Sequence, residues 1–404
     1  MIVLTLYLPE HVISMTRRPS PRAVTRLSPA KPRRKSLKIA LVLGGGGLKG
    51  FAHIGVFRAL KEMGIVPTVV AGTSIGALIG AAYARGMPVD EMADRARSLK
   101  RRDLFRLNRM GMLLERQHSP AIYLEEPLRE VVKSVATEKR IDQLKTTLLV
   151  NTVDIRRGTQ VVWGLPGLRH VSVADAVYAS CALPGFYPPG PIDGRLCVDG
   201  GVIDNLPVSI SSLGMDAVIA VDTGSSDLEP ENDIVAAGFA SIYMRAATTM
   251  MHALQLAPFA AWTRPPMILI RPRVNHIGWF SFSNTEELLE AGYVAAMEAC
   301  KHYEECIAWG IGVFPRRAMQ ITVDRAKCIG CTLCTAMAPD LMAMDSQQKA
   351  YPLQPIVEWS PADGDFVHHC PTYAIEATRV DAEDAPIAPP TVDPASEPTT
   401  RKTG

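Results

Sequence analysis

The sequence predicts an α/β protein: a three-layer α/β/α domain with a mostly parallel central sheet, joined to a small α+β domain. Three observations carry this. Short apolar runs alternate with segments of helical spacing from residue 38 to about 308. Two glycine motifs both fall where a run of the first kind passes into one of the second. Beyond Phe314 the chain becomes rich in cysteine and loses long helical periodicity.

Taken in order, Lys38–Leu43 is an apolar run closed by glycines, which suits a buried parallel strand. Gly50–Met63 follows with Ile54, Phe57, Leu60 and Met63 at helical spacing. Val66–Ala71 reads as the second strand, ending in Gly72-Thr73-Ser74-Ile75-Gly76, and Ala77–Arg85 as the second helix. Further strands are expected at Thr147–Val153, Gln160–Trp163, Ala217–Val221 and Met267–Ile270, with helices near 124–136, 234–256 and 284–308. No internal repeat is visible. The expected organisation is a disordered basic arm over 1–36, the main domain over 37–314, the small domain over 318–380 and a disordered tail over 381–404. The arm and tail readings are compositional: residues 16–38 hold nine Lys or Arg and four prolines, and 381–404 hold five prolines and five acids.

With 404 residues and 47% hydrophobic content the chain can bury a large core. Its 43 basic and 41 acidic residues nearly cancel to +2, so no one-sided field for nucleic acid is present. The apolar stretch Met1–Leu8 precedes the basic residues, the reverse of a secretory signal, and a cytoplasmic location is expected. Ile65–Tyr83 is apolar enough to attract a membrane-span reading, but Pro67 and glycines 72, 76 and 80 interrupt it.

The loop Gly44-Gly45-Gly46-Gly47-Leu48-Lys49-Gly50 has little side chain, so its backbone N–H groups are available to an anion. Gly45-x-Gly47-x-x-Gly50 fits a dinucleotide fingerprint, which would hold a pyrophosphate, whereas the alternative guest is an ester oxyanion. A dinucleotide site needs an acid for the ribose at the end of the second strand; here Val69-Val70-Ala71 runs into Gly72 and Ser74, so no nucleotide cofactor is expected. Gly72–Gly76 matches G-x-S-x-G, the sharp strand-to-helix turn that exposes a serine hydroxyl. That serine needs a base, and His53, His118, His170, His252 and His276 lack the context of a triad loop. Asp199-Gly200-Gly201 offers a carboxylate instead.

Gly44–Gly50, the Gly72–Gly76 elbow and Asp199-Gly-Gly201 stand in the order and spacing of the patatin-like phospholipases, which residues 37–312 resemble. Ala179–Gly185 and Asp199–Pro207 resemble further parts of that pattern, as does Val153-Asp154 with Gly158. The resemblance implies a dyad, with Ser74 as nucleophile and Asp199 as base. It also implies an oxyanion hole around Gly45, Gly46, Gly47 and Gly50, supported by the motif glycines Gly72, Gly76, Gly200 and Gly201. Each residue has a plainer reading. Gly47 and Gly50 can serve helix–strand packing, Ser74 can cap a helix and Asp199 can close a turn. Asp154, Asp204 and His53 read as structural, and Lys49 as a solvated lysine or as positive potential for a headgroup. Lys100–Arg116 mixes six basic residues with Leu, Phe and Met; it reads as a solvated helix, a lid, or a segment lying on anionic lipid. Met244–Leu256 suits an acyl groove or an ordinary core helix equally.

Cys328-x-x-Cys331-x-x-Cys334 with Cys370-Pro371 is a three-plus-one spacing, which favours a cubane over the paired knuckles of a zinc ribbon. Residues 319–380 resemble single-cluster bacterial ferredoxins, which implies one [4Fe–4S] centre on these four cysteines. Thiolates committed to a metal suggest a reducing compartment, leaving Cys181, Cys197, Cys300 and Cys306 as core or free thiols; Cys300 and Cys306, on one expected helix, should point different ways. The leading expectation is a lipid acyl hydrolase with a lipid ester substrate, peripheral contact at the inner face of the membrane, and a redox partner for the module. The alternative is an iron–sulfur carrier whose hydrolase half is silent.

Overall fold

The computed structural model describes residues 37–114, 119–224, 238–360, 366–367 and 369–380. The expected basic arm and acidic tail lie outside the described residues.

The main sheet is assembled first. β1 (Ile39–Leu43) leads through a glycine loop and a 3-10 turn into α1 (Ala52–Glu62), and β2 (Val69–Thr73) passes sharply into α2 (Ile75–Ala84). Helices α3 (Val89–Ser98), α4 (Arg101–Leu104), α5 (Arg109–Leu114) and α6 (Glu125–Val135) precede β3 (Thr147–Asp154) and β4 (Thr159–Trp163). Then come α7 (Val173–Cys181), β5 (Gly190–Ile192), β6 (Arg195–Asp199), α8 (Val208–Ser211) and β7 (Ala217–Val221). The rest is α9 (Phe239–Ala260), β8 (Met267–Ile270), α10 (Thr285–Ala299), α11 (Tyr303–Trp309) and β9 (Val313–Phe314). Strands β3, β2, β1, β7, β8 and β9 lie side by side in that order and are parallel, while β4, β5 and β6 pair antiparallel.

The sheet is buried on both faces, and the side-chain alternation along β1 shows how. Leu41 and Leu43 join the larger core with α1, α2, α7 and α10, whereas Ala40 and Val42 join a smaller one with Leu206, Val208 and Phe259. Three layers result. Strand order reverses between β1 and β7, since β2 and β3 extend one way and β8 and β9 the other, so the loops after β1 and β7 open a crevice at a topological switch point.

Two expected elements move. The second strand starts at Val69 and runs to Thr73, because Pro67 has no N–H for the ladder and Val66 is exposed; its first paired residue is Val69, opposite Ala40. The helix expected over 284–308 breaks after Ala299; Cys300 and Cys306 are both buried, and the Cys300 thiol is pushed up, first by burial and then by Cys306.

Beyond Phe314, β10 (Arg317–Val323) pairs antiparallel with β13 (Ile356–Trp359) and β14 (Ile375–Arg379), and β11 (Met342–Met344) with β12 (Ala350–Pro352); α12 (Leu333–Met337) follows the cysteine loop. This part has its own core around Ile321, Met342, Trp359 and Phe366.

Candidate active site

The register of β3 brings the two key residues together. On β3, Val150 and Asn151 pair with both β2 and β4, and Thr152, Val153 and Asp154 pair with both β4 and β6. A strand has two edges, so β2 and β6 occupy the same edge of β3, one beyond the end of the other. Thr73 sits opposite Asn151 and Asp199 opposite Thr152. Ser74 and Asp199 thus leave their strands at adjoining registers, and both line one pocket.

Ser74 itself is held at φ 55°, ψ −125°, a backbone conformation that a side-chain-bearing residue adopts only under constraint. The glycines on either side permit it. A Cβ on Gly72 would lie 2.4 Å from the Gly76 carbonyl, and one on Gly76 would lie 2.2 Å from the Leu43 carbonyl oxygen. Ser74 makes no side-chain cap to α2, so its hydroxyl is not engaged as a helix cap. Its backbone N–H donates to Ser180 Oγ at 2.9 Å, and the Ser180 hydroxyl donates to the Asn151 carbonyl at 2.7 Å. Ser180 therefore ties α7 to the elbow, a role that the sequence did not signal beyond its place in the Ala179–Gly185 stretch.

Within the glycine loop the four residues expected to share one task divide it. The Gly45 N–H donates to Asn205 Oδ1 at 3.2 Å, and Asn205 Nδ2 donates back to the Gly45 carbonyl at 3.2 Å. Gly45 is clamped, and its amide is turned to Asn205 rather than to the pocket. Gly50 is buried under Ile75, where a Cβ would come within 2.1 Å of Ile75 Cγ2, so its part is close packing. Gly46 and Gly47 remain at the start of the 3-10 turn, where N–H groups lack intrahelical acceptors, and Gly47 lines the pocket. Beneath the loop His53 is fully buried, with Nε2 2.8 Å from the Gly44 carbonyl oxygen. Burial lowers its pKa to about 4, so the ring is neutral and its Nε2–H donates to Gly44. Lys49 is buried rather than solvated, its ammonium reaching the Asn275 carbonyl at 3.4 Å.

Asp199 is 5% exposed. Burial pushes its pKa up to about 6, against hydrogen bonds from the Ser74 side chain and the Gly201 N–H that favour the anion. The Gly201 bond, at 2.9 Å, also closes the turn that the plainer reading of Asp199 foresaw. Gly200 packs against Asn151, which donates to Thr73 Oγ1 at 3.1 Å and to the Asp204 carbonyl at 2.7 Å. The neighbouring acids differ in kind. Asp154 is held below the usual carboxylate range by Arg157, 2.8 Å away, and Asp204 is raised by burial.

The pocket over Ser74 is apolar. It encloses about 100 Å³ and is walled by Leu48, Leu78, Phe105, Leu128, Leu183 and Phe280. Among the described residues, none of the walls of this pocket comes from Met244–Leu256. Cys181 also lines the pocket, with its thiol pushed well up, first by burial and then by the Asp199 charge.

In the C-terminal part, Cys328, Cys331, Cys334 and Cys370 line a second pocket. Among the described residues no three His, Cys, Asp or Glu side chains close on a single ion. Two of these sulfurs accept backbone amides. Ala350 N–H points to Cys328 Sγ at 3.5 Å and Ala374 N–H to Cys370 Sγ at 3.3 Å, the amide-to-sulfur bonds that stabilise thiolates around iron. The His369 ring, next to Cys370, stacks on His252 of α9 with centroids 5.9 Å apart.

Residues 41–211 match the family model described as patatin-like phospholipase, and residues 321–385 match that of a 4Fe-4S single cluster domain. An uncharacterised NTE family protein of Mycobacterium tuberculosis is 36% identical over 217 residues, covering 53% of this chain and 56% of its own. Human patatin-like phospholipase domain-containing protein 6 is 37% identical over 201 residues (47% of this chain, 14% of its own), and a lysophospholipase of Emericella nidulans 30% over 293 residues (64% and 18%). The chain thus spans about half the length of the mycobacterial relative and far less of the other two. Among solved structures, VipD from Legionella pneumophila is 17% identical with a TM-score of 0.37, covering 66% of this chain and 67% of its own. No helix among the described residues is long and apolar enough to cross a membrane.

Proposed function

We propose that this chain is a serine-dependent lipid acyl hydrolase of the phospholipase A, lysophospholipase or esterase type. In this reading residues 37–314 form the hydrolase domain and 318–380 a ferredoxin-like domain. The observation that carries it is the meeting of a strained Ser74 and a buried, hydrogen-bonded Asp199 at the head of an apolar pocket. The family match over 41–211 and the relatives' printed descriptions as phospholipase and lysophospholipase support the substrate class.

The chemistry follows from the geometry. Asp199 takes the Ser74 proton as Oγ attacks the ester carbonyl, and a carboxylate whose pKa is about 6 is a serviceable base near neutrality. The amides of Gly46 and Gly47 hold the oxyanion, each such donor contributing roughly 3–4 kcal/mol. Asp199 then returns the proton to the leaving alcohol, and water, activated by the same carboxylate, releases the fatty acid from Ser74. The apolar walls hold the acyl chain and exclude competing water. A fluorophosphonate probe tests this: it should label the protein and fail on Ser74→Ala, whereas an unlabelled parent protein would favour a silent hydrolase half carried by an electron-transfer protein.

Cys328, Cys331, Cys334 and Cys370 would hold one [4Fe–4S] cluster, which when bound supplies one-electron chemistry that ester hydrolysis does not use. A sensing role, with a redox protein as partner, is supported by a contact chain. His369 stacks on His252, and the adjacent Met251 packs on Gly201, whose N–H holds Asp199. The reading places the protein in the cytoplasm, peripheral to the inner face of the membrane.

A further inference from the structure

The segment from Lys100 to Leu113 forms one rim of the Ser74 pocket, and its two sides differ sharply. Its inner side is pinned. Leu104 is buried and lines the pocket, and its carbonyl accepts a bond from the Tyr187 hydroxyl at 3.1 Å. Phe105 lines the same pocket and packs on Tyr123 and Phe280, with ring centroids 5.0 and 5.1 Å away. The backbone is stitched to the next strand-like stretch by Asn108 N–H to the Ile122 carbonyl and Leu124 N–H to the Arg106 carbonyl, both 2.9 Å.

The outer side is apolar and basic at once. Leu107, Met110 and Leu113 are 46%, 65% and 72% exposed and recur every third residue, which lines them along one face of α5 and its entry. Around them Lys100, Arg101, Arg102, Arg106 and Arg109 are all exposed, against a single acid, Asp103, between residues 100 and 113. Among the described residues the ion pairs they make are loose: Arg102 to Asp103 at 3.8 Å and Arg106 to Glu126 at 4.0 Å. Three large exposed apolar side chains within a ring of positive charge are costly in water and match a surface with negative headgroups over hydrocarbon.

We infer that this rim is the docking surface for an anionic lipid bilayer. The argument is charge complementarity combined with position, because the same fourteen-residue segment supplies both the outer face and two walls of the pocket. Seated there, Met110 and Leu113 enter the acyl boundary while the arginines contact phosphate and carboxylate headgroups. A lipid leaving the bilayer then meets Phe105 and Ser74 without crossing open water. The inference rests on the lipid hydrolase reading for its purpose but not for its test.

The test uses the full chain carrying Ser74→Ala, sedimented with phosphatidylcholine vesicles with or without phosphatidylserine. Vesicles containing phosphatidylserine should be bound in preference, and less so as salt rises. Arg102→Gln with Arg109→Gln should weaken that binding about 25-fold, taking a factor of about 5 per basic residue near an anionic surface. Met110→Ser with Leu113→Ser should weaken binding to the same vesicles by roughly 10-fold or more. Residues 17–35, also basic, are present in parent and variants alike, so the differences read the rim alone. In the Ser74-bearing protein both double variants should cleave a short-chain water-soluble ester at the parent rate. Equal binding of parent and variants, or no preference for phosphatidylserine, overturns the inference, and retention of an acidic protein by the rim without vesicle binding does so in favour of a protein partner. Failure to cleave the soluble ester overturns the hydrolase reading and leaves the vesicle result standing.

Discussion

Replacing Asp199 with Asn separates what this carboxyl does for chemistry from what it does to the fold. Burial lifts its pKa from 3.8 to about 6, so at pH 8 the folded protein holds an anion that the unfolded chain would solvate better. A displacement of about two pH units corresponds to about 3 kcal/mol. Because the folded value is the higher one, the stabilising contribution is complete below pH 3.8 and is lost as pH rises through 6. His53 works in the opposite sense. Its pKa is lowered from 6.5 to about 4, so stability present above pH 6.5 is lost as pH falls toward 4, again by about 3 kcal/mol. Between pH 4 and 6.5 the two contributions oppose each other in the parent protein.

Asp199→Asn removes one of the pair. It keeps an oxygen for the Gly201 N–H and should be about 3 kcal/mol more stable than the parent at pH 8, with the gain vanishing by pH 4. Urea unfolding at both pH values measures this, alongside hydrolysis, which should fall by at least about 10³-fold without the base. A variant no more stable than the parent at pH 8, a gain of equal size at both pH values, or retained hydrolysis would each refute the reasoning.

Hydrolysis by the parent should rise through an acidic limb near pH 6 as Asp199 ionises; a limb unchanged in Ser180→Ala but absent in Asp199→Asn assigns it. Asn205→Ala releases the Gly45 clamp, and Ser180→Ala releases the Ser74 N–H. Each should lower kcat roughly 10²-fold with KM little changed, as steady-state kinetics on one ester would show. His53→Gln should flatten the loss of stability between pH 6.5 and 4 seen in urea titrations. Cys370→Ser should lose bound iron and acid-labile sulfide; hydrolysis should shift with it when the His369–His252 contact couples the sites, and stay constant when the module is only a tether.

The parallel strands were legible because each is a short apolar run with no competing period: Ala217–Val221 and Met267–Ile270 fall where the sequence put them. Gly72–Gly76 was legible for a related reason, since only small residues fit where the elbow touches the Leu43 carbonyl. β6, which carries Asp199, was not. Its five residues Arg195-Leu-Cys-Val-Asp199 owe their form to antiparallel pairing with the adjacent β5 and, above all, with β3, a partner distant in sequence.

Local sequence therefore determined the strand-to-helix units, the strained serine turn and the cysteine spacing, because these depend on glycine geometry and on periods of a few residues. Tertiary structure alone decided that Asn205 would take the Gly45 amide out of the pocket and that His53 would stand beneath the loop. It also decided that residues 74 and 199 would meet. The Gly45–Asn205 contact joins positions 160 apart, and residues 74 and 199 meet only once β3 has fixed on one edge the register of the two strands that end there.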